Sequence, residues 1–210
     1  MASMNFYSLV LVVVALVSTP LAVVAGDPDI LTDFVMPMMG MPMNITGDYF
    51  TYTGFRSKEE MPVSGFSLLK ASMVEFPALN GQSVSYAVLR FPPGTVNPTH
   101  THPRASELLL VVEGALSVGF IDTAGKLYTK DLVEGDMFIF PKGLVHYQSN
   151  QGSNFAAALS AFGSANAGTV SVPVTVFGTG VDDAVLAKSF KTDLPTVQKL
   201  KAALTPPPKH

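Results

Sequence analysis

The chain has 210 residues, of which 48% are hydrophobic and 14% are charged. This length and composition predict one domain with a well-buried core and leave too little chain for two large domains. The formal net charge is −3, and no cluster of basic residues could follow a phosphate backbone, so nucleic acid is excluded as an expected partner.

The first predicted element is a secretory signal peptide over residues 1–25. This segment contains no charged side chain, and its apolar run LVLVVVALV is followed by Pro20 and by the small-residue sequence Val23-Val24-Ala25. The alternative is an uncleaved membrane anchor, because about 20 apolar residues can span a bilayer. Pro20 and the polar sequence that follows Ala25 favour the signal peptide. We therefore expect a secreted chain without a membrane attachment after cleavage.

An extended amino-terminal arm is predicted over residues 26–62, where hydrophobic periodicity is weak. Half of the ten methionines lie between Met36 and Met43. Their thioethers could bind Cu(I), but flexible packing against a neighbouring subunit needs no further assumption and is the favoured interpretation. Asn44 begins the only Asn-X-Ser/Thr sequence that proline does not block, so it is the predicted glycosylation site.

Residues 63–180 are predicted to form an all-β sandwich or barrel. Short β-rich runs alternate with glycine and proline turn signals, and these runs are SVSYAVLRF, ELLLVV, LSVGFI, MFIF, FAAALSAF and TVSVPVTVF. Two short helices are expected over residues 181–204, the first capped by the pair Asp182-Asp183 and the second opened by Pro195. The tail 205–210 is expected to be loose, with a solvated His210.

The positions of the histidines are the main indication of a functional site. The chain has four, and His100 and His102 are separated by one residue, so both imidazoles project from the same face if the segment is extended. Pro103 forces a bend, after which Glu107 would return on the next strand to face the same space, and His146 comes from a separate turn-and-strand unit. Three imidazoles and a carboxylate suit Mn, Fe, Zn, Cu or Ni. Because the four would close a tetrahedral zinc site but leave two open positions on an octahedral ion, Mn or Fe is favoured.

The four candidate ligands fall within two longer patterns, G-X5-H-X-H-X4-E-X6-G from Gly94 and G-X5-P-X-G-X2-H-X3-N from Gly135. These patterns resemble the two motifs of the cupin family. The runs THTHPRASELLLVVEG, GDMFIFPKGLVHYQSN, GTVSVPVTVFG and VLAKSF resemble the germin-like proteins of plants, over about residues 27–204. The resemblance implies a cupin jelly-roll β-barrel closed by short C-terminal α-helices. It also implies one Mn ion per chain inside the barrel, bound by His100, His102, Glu107 and His146.

The same resemblance implies a homo-oligomer, a hexamer built as a trimer of dimers, in the extracellular space of the cell wall or apoplast. The implied activity is dismutation of superoxide to hydrogen peroxide, in defence or wall development. Oxalate oxidation is less favoured, because oxalate-oxidising germins orient their substrate with two asparagines. Asn97 occupies one of these positions, where it could equally be a turn residue before Pro98, but Ala87 occupies the other and cannot donate a hydrogen bond. A storage or ligand-binding cupin is the alternative from a different class.

The chain departs from germins in containing no cysteine. Germins usually carry an amino-terminal cysteine pair, and the corresponding stretch here reads Asp33-Phe34-Val35. A secreted protein without disulfides depends on its core, a metal or oligomerisation for stability. We therefore expect packing contacts to hold the arm in place.

Overall fold

The structure is a computed structural model that describes residues 26–36, 45–56 and 65–205. The predicted signal peptide, Asn44, the four methionines from Met38 to Met43, and His210 lie outside the described residues. Within those ranges, no helix combines the length and the apolar character that crossing a membrane requires.

Two antiparallel five-stranded sheets dominate the described part of the chain. The strands are β1 (Ser67–Ala71), β2 (Ser85–Phe91), β3 (Val96–Thr101), β4 (Glu107–Glu113), β5 (Ala115–Ile121), β6 (Leu127–Val133), β7 (Met137–Phe140), β8 (Val145–Ser149), β9 (Ala156–Phe162) and β10 (Val170–Ser171). One sheet has the order β1-β2-β9-β4-β7 and the other has the order β10-β3-β8-β5-β6. This architecture confirms the predicted all-β jelly-roll barrel.

Alternation of side chains explains why these segments pair with one face inward. On β2, burial falls on every second residue from Ser85 to Phe91, and on β4 it falls on Glu107, Leu109 and Val111. Inward side chains from both sheets form one apolar cluster, which includes Leu89, Phe91, Leu109, Val111, Leu116, Val118, Leu132 and Phe140. Removal of this apolar surface from water is the main stabilising contribution to the barrel.

Two motif residues shape the turns that join the sheets. Gly114, between β4 and β5, has φ +73°, and a Cβ there would lie 2.5 Å from the carbonyl oxygen of Phe155. Only glycine satisfies both restrictions at this position. Asn150, which follows β8, donates from Nδ2 to the carbonyl oxygens of Phe91 (2.8 Å) and Asn154 (2.7 Å). The motif asparagine therefore fixes the ends of strands and does not belong to the predicted metal site.

Three α-helices follow the barrel within the described residues. They are α1 (Val172–Phe177), α2 (Asp183–Phe190) and α3 (Leu194–Leu204). The two helices expected from the sequence are confirmed, and the Asp182 side chain caps α2 by accepting from the backbone N–H groups of Ala184 and Val185. The prediction of a β-rich run in TVSVPVTVF was wrong, because only Val170–Ser171 is a strand. A proline in the first turn of α1 fits a helix start better than a ladder position.

The described parts of the arm lie on their own barrel. Asp27 accepts hydrogen bonds from the Ser164 hydroxyl and from the backbone N–H of Ala165, both at 2.6 Å. Farther along the arm, Tyr52 stacks on Phe76. These contacts connect the arm to the rest of the same chain without a disulfide, whereas packing of the methionines on a neighbouring subunit stays a prediction.

Candidate metal centre

The four predicted ligands converge on one point inside the barrel. His100 lies on β3, His102 directly follows that strand, Glu107 begins β4, and His146 lies on β8. One ligand atom from each lies within 4.8 Å of the others, and all four residues are buried. The structure therefore brings together the whole set of residues that the sequence singled out.

Strand pairing explains this convergence. β3 pairs with β8 so that His100 lies opposite His146, and a register irregularity between residues 97 and 100 interrupts the ladder just before the site. After β3 the chain turns through Pro103 and enters the other sheet at Glu107. The site thus lies between the two sheets. His100 and His146 come from one sheet, and Glu107 comes from the other.

Backbone carbonyls orient the three imidazole rings. The Nδ1 atom of each ring contacts an oxygen that can only accept, so each Nδ1 carries a proton. These contacts are His100 Nδ1 to Pro98 O (2.7 Å), His102 Nδ1 to Gly168 O (2.5 Å) and His146 Nδ1 to Leu144 O (2.8 Å). With the proton fixed there, a neutral ring presents the lone pair of Nε2 to the centre, as a metal ligand requires.

The contacts around Glu107 test whether a metal fits. Its Oε2 atom lies 3.0 Å from His102 Nε2 and 3.1 Å from His146 Nε2. If the two rings were neutral and protonated at Nδ1, the lone pairs of their Nε2 atoms would face the lone pairs of Oε2 at these distances. The arrangement is therefore favourable only with an additional proton on each ring or with a cation bound among the four side chains. A divalent metal satisfies this requirement with the donor set present.

Burial and neighbouring charge set the protonation states of the site. Burial alone would raise the pKa of Glu107, but in the absence of a metal the hydrogen bonds and charge of His102 and His146 outweigh it and lower the pKa to about 2. Burial and, to a smaller extent, the charge of His146 lower the pKa of His100 to about 4. At neutral pH the carboxylate is therefore ionised and the His100 ring is neutral, which are the forms that bind metal.

Glu107 is also held from the side facing away from the histidines. Its Oε1 atom accepts hydrogen bonds from Ser160 Oγ at 2.6 Å and from Gln148 Nε2 at 3.2 Å. The side-chain oxygen of Gln148 in turn accepts from Asn97 Nδ2 at 2.7 Å. Sequence reasoning missed Gln148 and Ser160. Gln148 follows His146 by two residues on β8 and shares its face, so strand alternation could have identified it.

A cavity of about 320 Å³ leads to the site. Its lining includes the buried residues His100, His102 and Glu107 and also Leu68 of β1, which is 46% exposed. Ala87, an inward residue of β2, is part of the wall. Asn97 also lines the cavity, although its amide donates to Gln148.

Comparison with known proteins agrees with the geometry. Residues 63–198 match the family described as Cupin. The chain is 68% identical over 208 residues to germin-like protein 9-3 of Oryza sativa subsp. japonica, a match that covers 96% of this chain and 97% of the relative. It is 52% identical over 198 residues to germin-like protein 9-1 of the same organism, with 93% and 80% of the two chains covered.

A solved structure extends the similarity to three dimensions. An oxalate oxidase in complex with the substrate analogue glycolate superposes with a TM-score of 0.79 at 32% sequence identity. The superposition covers 85% of this chain and 98% of that chain. Sequence and structure comparisons therefore point to the same family.

Proposed function

The chain belongs to the cupin family and, within it, to the germin-like proteins, and from this premise we propose that it is a secreted manganese protein that dismutates superoxide. It would act in the extracellular space of the cell wall, in defence or wall development. One Mn ion per chain would be bound by His100, His102, Glu107 and His146. The proposed organisation is a signal peptide (1–25), an arm (26–62), the barrel (63–180), helices (181–204) and a tail (205–210).

The observation that carries the proposal is the buried, pre-oriented set of three imidazoles and one carboxylate. Its ligand atoms lie within 4.8 Å of one another, and each imidazole is fixed by a backbone carbonyl. Four protein ligands leave two positions free on an octahedral ion, which suits manganese better than zinc. A storage role would not require such an arrangement, so the site favours a metalloprotein.

The cavity fits a small substrate. When bound, a manganese ion supplies one-electron chemistry by cycling between Mn(II) and Mn(III). In the overall reaction two superoxide ions and two protons yield one dioxygen and one hydrogen peroxide. The cavity gives a small oxygen species and solvent protons a path to the side of the site formed by His100 and His102. Glu107 contributes its negative charge, and the three rings hold their Nδ1 protons on backbone carbonyls throughout.

Oxalate oxidation is a second candidate, because the similar solved structure is an oxalate oxidase that binds glycolate. A dicarboxylate needs polar donors around it for orientation, and positioning is a large part of such catalysis. In this cavity Asn97 already donates to Gln148, and Ala87 offers only a methyl group. These two observations favour dismutation.

An apolar surface supports the proposed homo-oligomer, a hexamer assembled from three dimers. Outward side chains from neighbouring strands of the β1-β2-β9-β4-β7 sheet are apolar and exposed, and they include Tyr86, Leu108, Val112, Met137 and Ile139. Contiguous apolar patches of this kind mark protein interaction sites. Burial of this face between subunits would also compensate for the missing cysteine pair.

The proposal is tested by metal analysis of the purified full chain, with superoxide and oxalate assays in parallel. We expect about one Mn per chain and superoxide dismutation, and we expect His146→Ala to remove both because it deletes one ligand of the buried site. Manganese-loaded protein without dismutation would contradict the enzyme assignment. Oxalate turnover without dismutation would favour the second candidate.

A further inference from the structure

Ser160 is an unexpected polar residue in the barrel interior. The inward row of β9 consists of Ala156, Ala158, Ser160 and Phe162, and Ser160 has no exposed surface. A buried hydroxyl lowers stability unless it has a hydrogen-bond partner. The partner of Ser160 is the carboxylate of Glu107.

The residues paired with Ser160 on both neighbouring strands offer its hydroxyl no side-chain acceptor. Strand pairing places it beside Ala87 on β2 and Leu109 on β4, two side chains without acceptors. Its Oγ atom lies 2.6 Å from Oε1 of Glu107, which is the short distance typical of a hydrogen bond to a charged oxygen. The two oxygens of Glu107 therefore differ, because Oε1 accepts from Ser160 and Gln148 and Oε2 faces the histidines.

We propose that Ser160 is a positioning residue that makes Glu107 bind the metal through one oxygen. Its hydroxyl holds Oε1 away from the centre, so that Oε2 alone is presented to the ion. Without this short hydrogen bond only the longer one from Gln148 would hold Oε1. The carboxylate could then turn until both oxygens approach the ion, which would change the coordination number and occupy a position meant for substrate. The inference rests on the proposed metal site and does not depend on which reaction the metal performs.

The test is a Mn(II) titration of the metal-free full chain, followed by electron paramagnetic resonance of the loaded protein. We expect Ser160→Ala to raise the Kd for Mn(II) by about tenfold, since loss of a partner of a ligand has effects of this size. We also expect a changed zero-field splitting, because the carboxylate would bind in a different mode. Ser160→Thr keeps the hydroxyl and should restore both values.

Ser164 offers a matched control. It is as buried as Ser160, and its hydroxyl also donates to a carboxylate at 2.6 Å, but that carboxylate belongs to Asp27 and not to a predicted ligand. Ser164→Ala therefore removes the same kind of hydrogen bond from the same part of the chain. We expect it to lower thermal stability while leaving the Mn(II) spectrum and the Kd as in the parent protein.

The outcomes separate this inference from the proposed function. A parent chain that binds no Mn(II) would overturn both. A parent chain that binds Mn(II), with Ser160→Ala indistinguishable from it or from Ser164→Ala in spectrum and Kd, would overturn only the role of Ser160. If Ser160→Ala does not fold, Ser160→Thr and Ser160→Val replace it, because these two side chains have nearly the same shape and differ in the hydroxyl. Equal spectra for that pair would overturn the inference.

Discussion

The barrel interior has a polar half and an apolar half, and one strand passes through both. The inward residues of β4 are Glu107, Leu109 and Val111, whose exposed fractions are 1%, 0% and 1%. Glu107 lies among histidines and hydrogen-bond donors, whereas Leu109 and Val111 belong to the apolar cluster. Equally buried residues of one strand therefore contribute to the polar site at one end of the strand and to the apolar core farther along it.

The two halves are stabilised by different physics. In the apolar half, close packing and exclusion of water provide the stability, and the direction of any one contact matters little. In the polar half every buried group needs a partner in the right direction, and the ring Nδ1 atoms, Oε1 of Glu107 and Gln148 all have one. The comparison suggests that the fold depends mainly on the apolar half and the chemistry on the polar half, and substitutions can test that separation.

The largest effect is expected from Glu107→Gln. The amide has nearly the shape of the carboxylate but no negative charge, so we expect Mn(II) affinity to fall by about 100-fold or more and dismutation to be lost. The far-UV circular dichroism spectrum should be retained. Glu113→Gln is the control, because Glu113 ends the same strand with an exposed side chain. Equal metal binding by both variants would contradict the assignment of Glu107 as a ligand.

The apolar half is tested by Leu109→Ala. Removal of most of a fully buried leucine should lower the free energy of unfolding by about 2–5 kcal/mol, through lost burial and the cavity left behind. Chemical denaturation measures this change, and the folded variant should still bind one Mn per chain. Leu127→Ala, at a side chain that is 52% exposed on β6, should cost much less. Loss of metal from folded Leu109→Ala would show that the two halves are not separable.

Acid should affect the two halves differently. Because burial lowers the pKa of His100 to about 4, from 6.5, the unfolded chain takes up a proton between these pH values and the folded chain does not. The metal-free protein should therefore lose up to about 3 kcal/mol of stability as pH falls from 6.5 to 4. The pKa of Glu107 is lowered to about 2. Its contribution to the free energy of unfolding is therefore fully present above pH 4.5 and is lost only as pH falls from 4.5 towards 2.

Denaturation of the metal-free protein at pH 7, 5.5 and 4.5 measures this effect. His100→Gln removes the titrating ring and should flatten the dependence across that interval. Leu109→Ala should keep the dependence of the parent, with lower stability at each pH, since a leucine does not titrate. An identical slope for the parent and His100→Gln would show that other groups cause the acid sensitivity.

The sequence predicted the barrel and the ligand set because both depend on short, regular spacings. Alternation along β2 and β4 fixes which residues point inward, and the pair His100-X-His102 needs only an extended backbone to share a face. The joining of Glu107 and His146 to that pair depends on which strands pair across the barrel. Local spacing does not show which strands pair, so the family resemblance was needed to place Glu107 and His146 in the same site.

The parts that could not be predicted depend on contacts between distant segments. Ser160 meets Glu107 across 53 positions of sequence, and Gly168 O meets His102 across 66. Neither residue belongs to a local pattern that indicates a partner. The helix α1 was missed for another reason, since its β-branched residues favour a strand while a proline in its first turn favours a helix start.

The smallest expected effect comes from Ala87→Asn, which extends the polar half by one donor. Ala87 lines the cavity and lies beside Ser160, so an amide there would point into the space next to Glu107. If dicarboxylate orientation is what the chain lacks, oxalate turnover by the manganese-loaded variant should rise by about tenfold or more above that of the parent. Ala87→Leu, which adds similar volume without a donor, should give no increase. An equal response of the two variants would mean that cavity shape, and not the missing hydrogen bond, separates this chain from an oxalate oxidase.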